Sequence, residues 1–220
     1  MTKERPILFS GAMVRAILDG RKTQTRRIIK LPPAPETLGT WEPTTIGGGT
    51  STFADGTPGP EMAAIWHTRT GATLACRHGH AGDRLWVRET WAQPAALDPG
   101  PTVYRSDYPA CVPRGFENIP PAEAITWKPS IHMPRALCRL VLEITVVRVE
   151  LLQDCSEADA IAEGIERRHS ADGEWAHYAD TGLSTDARGS YRSLWEQING
   201  PASWDANPWV WVVEFRRVQR

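Results

Sequence analysis

The stretch Arg139–Leu152, RLVLEITVVRVELL, constrains the fold more than any other part of this chain. Leu140, Leu142, Ile144 and Val146 alternate with Arg139, Glu143 and Thr145, the two-residue period of a strand with one face on a core and the other in water. Such a strand needs partners along its edges and a layer over its apolar face. The C-terminal run Pro208–Val218, PWVWVVEFRRV, reads as a second long strand. Arg84–Trp91, RLWVRETW, entered through a Gly82-Asp83 turn, reads as a third. Shorter strand signals fall at Thr23–Lys30, Ala63–His67, Thr73–Arg77 and Val103–Arg105.

Helix signals are few. Ser10 is a good N-cap ahead of Met13, Val14, Ile17 and Leu18, and Gly20 is a stop. Ser156 and Asp159 have the spacing of a capping box, with Gly164 closing that short helix. Ala187–Asn199 carries Tyr191, Leu194, Trp195 and Ile198 on one face and ends at Gly200-Pro201. Leu31–Pro60 and Pro94–Pro129 are crowded with proline and glycine, and Arg167–Thr185 is polar, so all three read mostly as loop. Gly47-Gly48-Gly49 reads as a flexible loop, because no Gly-Lys-[Ser/Thr] follows to build a phosphate cradle. Many strands, few helices and long connections predict an α+β fold, a closed or nearly closed mixed β-barrel with packed helices. No linker separates two cores, so residues 1–220 read as one domain with insertions near 31–80, 93–130 and 167–190.

The net charge of -1 disfavours sequence-independent gripping of long duplexes, which needs a large basic excess. Basic charge is instead local: Arg15, Arg21, Lys22, Arg26, Arg27 and Lys30 lie close together, opposed by Asp19 alone. No apolar run approaches the roughly 20 residues that span a bilayer. The N-terminus MTKERPILFS lacks the apolar segment of an export signal. Scattered cysteines at 76, 111, 138 and 155 then read as reduced thiols, and the expected location is the cytoplasm.

Within GRKTQTRR, Gly20–Arg27, a lysine near a threonine hydroxyl can act as its base if its pKa falls towards neutrality through burial or neighbouring cations. Residues three apart point to opposite faces of a regular strand, so Lys22 and Thr25 converge only if the chain turns after Gly20. A basic surface strand is the competing reading. Glu163, at the C-terminal end of a short helix, faces the helix's partial negative charge; a functional compromise and a solvated glutamate are both open. The run Cys76-x-His78-x-His80 lacks the further ligands of a zinc site and reads as a solvated loop, so no metal is assigned. Trp86, Trp91, Trp204, Trp209 and Trp211 belong to a set of ten tryptophans and read as core rather than base-stacking platforms. His132 and Arg135, in SIHMPR, are candidates to line a pocket, as are Arg26, Arg27 and Glu89.

These residues carry a resemblance. A helix ending in glycine, then G-x-K-x-x-[ET]-x-R at Gly20, Lys22, Thr25 and Arg27, then the GD-led strand at Gly82–Val87, resembles the ASCH domains of the PUA-like superfamily. Most ASCH proteins have Glu at the position of Thr25. The Thr form is similar to small bacterial N4-acetylcytidine amidohydrolases, and SIHMPR with SWDANPWVWVVEF resembles larger phage and prophage members.

The resemblance implies an amidohydrolase that cleaves the N4-acyl amide of N4-acetylcytidine and related nucleosides. Lys22, Thr25 and Glu163 would form the catalytic set, and Arg26, Arg27, Glu89, His132 and Arg135 would bind substrate. The last member of that set, Glu163, is matched by its place in the helix after the long strand. No cofactor or metal is implied. The implied partners are a modified nucleoside and short RNA, not a membrane. The alternative is a non-catalytic module binding RNA or a modified base, or a ribonuclease of the same type.

Overall fold

The computed structural model describes residues 2–32, 38–50, 52, 54–97, 100–170, 173–179 and 182–218. In chain order the elements are β1 (Glu4–Leu8), α1 (Gly11–Leu18), β2 (Gln24–Ile28), β3 (Trp41–Ile46), β4 (Met62–His67), β5 (Thr73–Ala75), β6 (Arg84–Arg88), β7 (Trp91–Ala92), β8 (Val103–Tyr104), β9 (Val141–Leu151), α2 (Glu157–Ala162), β10 (Arg167–Ser170), β11 (Gly173–Ala176), β12 (Leu183–Ser184), α3 (Ala187–Asn199) and β13 (Trp209–Val218). The α+β expectation holds. Among the described residues no helix is long and apolar enough to cross a membrane.

The organising sheet has the order β1-β6-β9-β13-β2, with β1 parallel to β6 and the other pairs antiparallel. Its interior strand β13 is buried on both faces. Trp211, Val213 and Phe215 join Ile7, Leu85, Leu142 and Ile144 in one core, while Val210 and Val212 join Leu152, Tyr191, Trp195 and Trp204 in a second. That two-sided burial is why Trp209–Val213 is continuously apolar rather than alternating. The second core is the layer through which α2 and α3 pack on the sheet.

The barrel does not close. β1 and β2 remain edge strands, and a side chain rather than a backbone ladder spans the gap: the Arg27 guanidinium donates to the Leu8 carbonyl at 2.7 Å. Pro6, which has no N–H, sits on an edge strand, where a sheet tolerates proline.

Further expectations need correction. β1 carries no strand signal in the sequence, because it is short and interrupted by Pro6. β3 lies inside Leu31–Pro60, read as loop; it pairs in unbroken register with β4, from Trp41↔His67 to Ile46↔Met62. Its Pro43 and Thr44-Thr45 carry no core pattern, so the pairing is made by β4. Arg167–Thr185 likewise holds the small sheet β10-β11-β12, with Trp175 buried in the second core. Arg84–Trp91 is not one strand: β6 stops at Arg88, and Trp91 pairs instead with Tyr104 of β8. Parts of the stretches read as insertions (33–37, 51, 53, 98, 99, 171, 172, 180 and 181) lie outside the described residues.

The Gly82-Asp83 turn anchors the parallel edge of the sheet. Asp83 is fully buried; its carboxylate accepts from the Lys3 amide at 2.8 Å and from Arg5 at 2.6 Å, holding β1 beside β6. Replacing Asp83 with alanine should cost about 2–3 kcal/mol, because a buried amide and a guanidinium lose their acceptor together. Urea denaturation of the Asp83→Ala chain reads this loss directly.

Candidate active site

The junction after α1 places Lys22. Ser10 caps the helix, its hydroxyl accepting from the Met13 amide, and Gly20 leaves it at φ +75°. Both Arg21 and Lys22 then donate their amides back to the Ala16 carbonyl, at 2.9 and 3.0 Å. The chain therefore turns before the strand begins, and Lys22 lies outside β2. Lys22 instead makes an isolated antiparallel bridge with Glu163, beside a bond from the Thr23 amide to the Ala162 carbonyl at 2.9 Å.

Glu163 is the C-cap of α2, whose start carries the expected capping box of Ser156 and Asp159. Gly164 follows at φ +84°, and a Cβ there would stand 2.7 Å from Lys22 Cβ. Only glycine lets the two segments approach so closely. The result is an ion pair almost out of water: Lys22 Nζ donates to Glu163 Oε2 at 2.8 Å and to the Glu163 carbonyl at 2.9 Å, with Lys22 2% and Glu163 5% exposed. Arg26 is also buried; it lies 3.5 Å from Glu163 Oε1, 3.1 Å from Glu150 and 3.4 Å from Asp159. The reading of GRKTQTRR as a surface strand, and of Glu163 as solvated, does not hold.

Burial pushes the Lys22 ammonium below its ordinary pKa of 10.5. The Glu163 carboxylate opposes that shift, and the nearby charges of Arg27 and Arg26 add to it. An amine nitrogen has three positions besides its carbon. Two donate to Glu163, which leaves one for a proton or, in the neutral form, a lone pair.

Lys22, Thr25, Arg26, Arg27 and Glu163 all line one cavity of about 250 Å³. The bend at Gly20 thus brings Lys22 and Thr25 to the same space despite their spacing. Thr25, buried and in register with Val213 of β13, makes no hydrogen bond through its hydroxyl among the described residues. The far wall is α3. Its face of Tyr191, Leu194, Trp195 and Ile198 covers the cavity, together with Asn199, and Arg77 reaches in from beyond β5. The Tyr191 phenol is raised well above 10 by burial and stays neutral. These α3 residues and Arg77 were not among the expected binding residues. The helical spacing of 191, 194, 195 and 198 was visible, but nothing in it distinguishes a cavity wall from a core face.

The remaining expected substrate binders lie elsewhere. Glu89 is locked in a structural cluster: Arg139 forks onto it with both bonds at 2.9 Å, and the Ser106 hydroxyl donates to it at 2.7 Å. His132 is exposed, and Arg135 pairs with Glu4 at 2.9 Å on the surface. None of the three lines the cavity.

A second, basic cleft opens beside the first, lined by Arg5, Arg27, Arg77, His78 and Arg88. Cys76 and His78 are buried, not solvated as expected; His80 stands 3.6 Å from Asp83. Burial, and then the charges of Arg27, Arg77 and Arg5, push the His78 imidazole down to about 4. Among the described residues no cluster of His, Cys, Asp and Glu is arranged to hold a metal ion.

Two measurements probe this geometry. Gly164→Ala forces an unfavourable φ and a clash with Lys22, so it should cost about 2 kcal/mol and lower Tm by roughly 4–8 °C. His78 has a folded pKa below its unfolded one, so its contribution is complete above pH 6.5 and is lost as pH falls towards 4. Between pH 7 and pH 5 this amounts to about 2 kcal/mol, and His78→Gln should flatten that part of the stability profile in urea titrations.

No protein-family model, curated protein or solved structure matches this chain.

Proposed function

We propose that the chain is an amidohydrolase acting on N4-acylated cytosine nucleosides, built on a PUA-like ASCH domain that spans 1–220. The observation that carries this reading is the buried Lys22–Glu163 pair opening on a cavity whose wall holds the Thr25 hydroxyl. A lysine with a lowered pKa sharing a cavity with a threonine hydroxyl that has no hydrogen-bond partner among the described residues is an arrangement suited to hydroxyl activation. The mixed five-stranded sheet, with α1 leading into the Lys-x-x-Thr segment and Arg27 linking its two edge strands, is compatible with a PUA-like barrel.

In the reaction, neutral Lys22 takes the Thr25 proton as Oγ1 bonds to the acyl carbon. Arg27, whose guanidinium lines the cavity, stabilises the charge developing on the acyl oxygen. The C–N4 bond breaks as the leaving nitrogen takes a proton through the Lys22–Glu163 pair, releasing the cytosine amino group. Water, deprotonated by the same amine, then hydrolyses the threonine ester, and the carboxylate leaves. The aromatic wall of Tyr191 and Trp195 holds the base by stacking and exclusion of water. The reaction sequence requires no metal or cofactor.

Purified protein in chelator should release acetate from N4-acetylcytidine. Thr25→Ala should reduce kcat/KM by at least about a thousandfold, and Lys22→Ala by about 100- to 10,000-fold. Full activity in Thr25→Ala overturns the nucleophile assignment. Salt-sensitive RNA binding without acetate release assigns the chain to a non-catalytic binding module, and strand cleavage to a ribonuclease.

The pH profile is a separate check. The base works in its neutral form, so kcat/KM should rise with pH through the Lys22 pKa. Glu163 raises that pKa, so Glu163→Gln should shift the rising limb to lower pH while lowering the plateau.

A further inference from the structure

The basic cleft is distinct from the cavity but shares a wall with it, because Arg27 and Arg77 line both. It lies where the sheet fails to close, between β1 and β2, and has a volume of about 380 Å³. Of its four guanidinium groups, Arg5 is neutralised by Asp83 at 2.6 Å. Among the described residues, the other three have no carboxylate partner. Arg27 donates to the Leu8 carbonyl and packs over Phe9; Arg88 donates to the Ile131 carbonyl and packs over Trp86. Neutral acceptors satisfy donors without cancelling charge. Arg77 makes no hydrogen bond or ion pair among the described residues.

A second observation points to an anion. His78 is only 8% exposed, yet its Nε2 has no hydrogen-bond partner among the described residues and the side chain lines the cleft. Buried polar atoms are satisfied as a rule, so an orphan whose side chain lines a cleft is suited to a partner from outside the chain. Here the surrounding charge selects the ligand's sign. Several guanidinium forks and a neutral imidazole that can donate through Nε2 match the oxygens of a phosphate.

We propose that this cleft binds the phosphate of the substrate, which makes the preferred substrate an N4-acylcytidine monophosphate rather than the free nucleoside. The inference rests on the reading of the cavity as the acylated-base site. Arg27 and Arg77 stand between the two compartments, so a ligand whose base lies against Tyr191 and Trp195 extends its sugar past them and delivers its phosphate to Arg88 and His78. The chain as a whole has a net charge of -1, without the large basic excess that gripping a long polymer backbone requires.

The test compares kcat/KM of the full chain for N4-acetylcytidine, its 5′- and 3′-monophosphates, and an oligoribonucleotide containing the same base. Calorimetry of cytidine and cytidine monophosphate binding runs in parallel. One of the monophosphates should exceed the nucleoside at least tenfold, and Arg77→Ala and His78→Gln should each bring that ratio towards one. Equal efficiency for the nucleoside and both monophosphates overturns the proposal while leaving the amidohydrolase reading intact. A preference of more than tenfold for the oligonucleotide over both monophosphates also overturns it, in favour of a polymer substrate. If no acylcytidine is hydrolysed, the amidohydrolase reading fails and binding decides the cleft alone. At least tenfold tighter binding of cytidine monophosphate than of cytidine, lost in Arg77→Ala, sustains the phosphate site; equal affinities refute it.

Discussion

A lysine and a glutamate 2.8 Å apart and nearly out of water are a costly pair to assemble. Removing two such charges from water costs several kcal/mol each, and their attraction compensates only when geometry and neighbouring hydrogen bonds are good. Much of the local structure meets that condition. Gly164 allows the backbones to touch, the Glu163 carbonyl takes a second bond from Nζ, and Arg26 lies against the other carboxylate oxygen. Arg26 is itself held by Glu150 and Asp159, and Asp159 caps α2 while pairing with Arg148 at 2.7 Å. The pair is thus tied to α1, α2, β2 and β9 at once.

This network decides where a cavity can exist. β13 separates two cores, and the second is roofed by α3. Where α3 passes over β2, the floor is polar and charged while the roof is apolar and aromatic. Complete packing would bury charges against hydrocarbon, which is unfavourable. The space between them is lined by Lys22, Thr25 and Glu163 on one side and by Tyr191 and Trp195 on the other. The unclosed sheet edge nearby adds Arg27, Arg77 and Arg88, guanidinium groups without a carboxylate partner among the described residues.

Much of the frame was legible in the sequence because local rules governed it. α3 spans Ala187–Asn199 as its periodicity and its Gly-Pro stop indicated, and the capping box at Ser156 and Asp159 is formed. β9 and β13 lie within the stretches marked by their apolar patterns. The features that local patterns do not carry are held by partners: β3 has no pattern of its own and exists because β4 offers a ladder, and Glu89 is fixed in a structural cluster by Arg139 from fifty residues away. Exposure also misled. Arg26 and His78 are polar and in polar surroundings of sequence, yet both are buried by elements distant along the chain.

By itself, the sequence determined the strand-rich α+β character and the helix ends, and left the bend after Gly20 as a condition, since glycine, capping residues and side-chain period act over a few residues. Only the tertiary structure decided that the barrel stays open, that Glu163 meets Lys22, that α3 rather than His132 or Arg135 walls the cavity, and that Arg27, Arg77, Arg88 and His78 share one cleft. Those outcomes depend on contacts between segments far apart in the chain, 141 residues in the case of Lys22 and Glu163, and Coulomb attraction and burial act through space with no imprint on the spacing of residues along the chain.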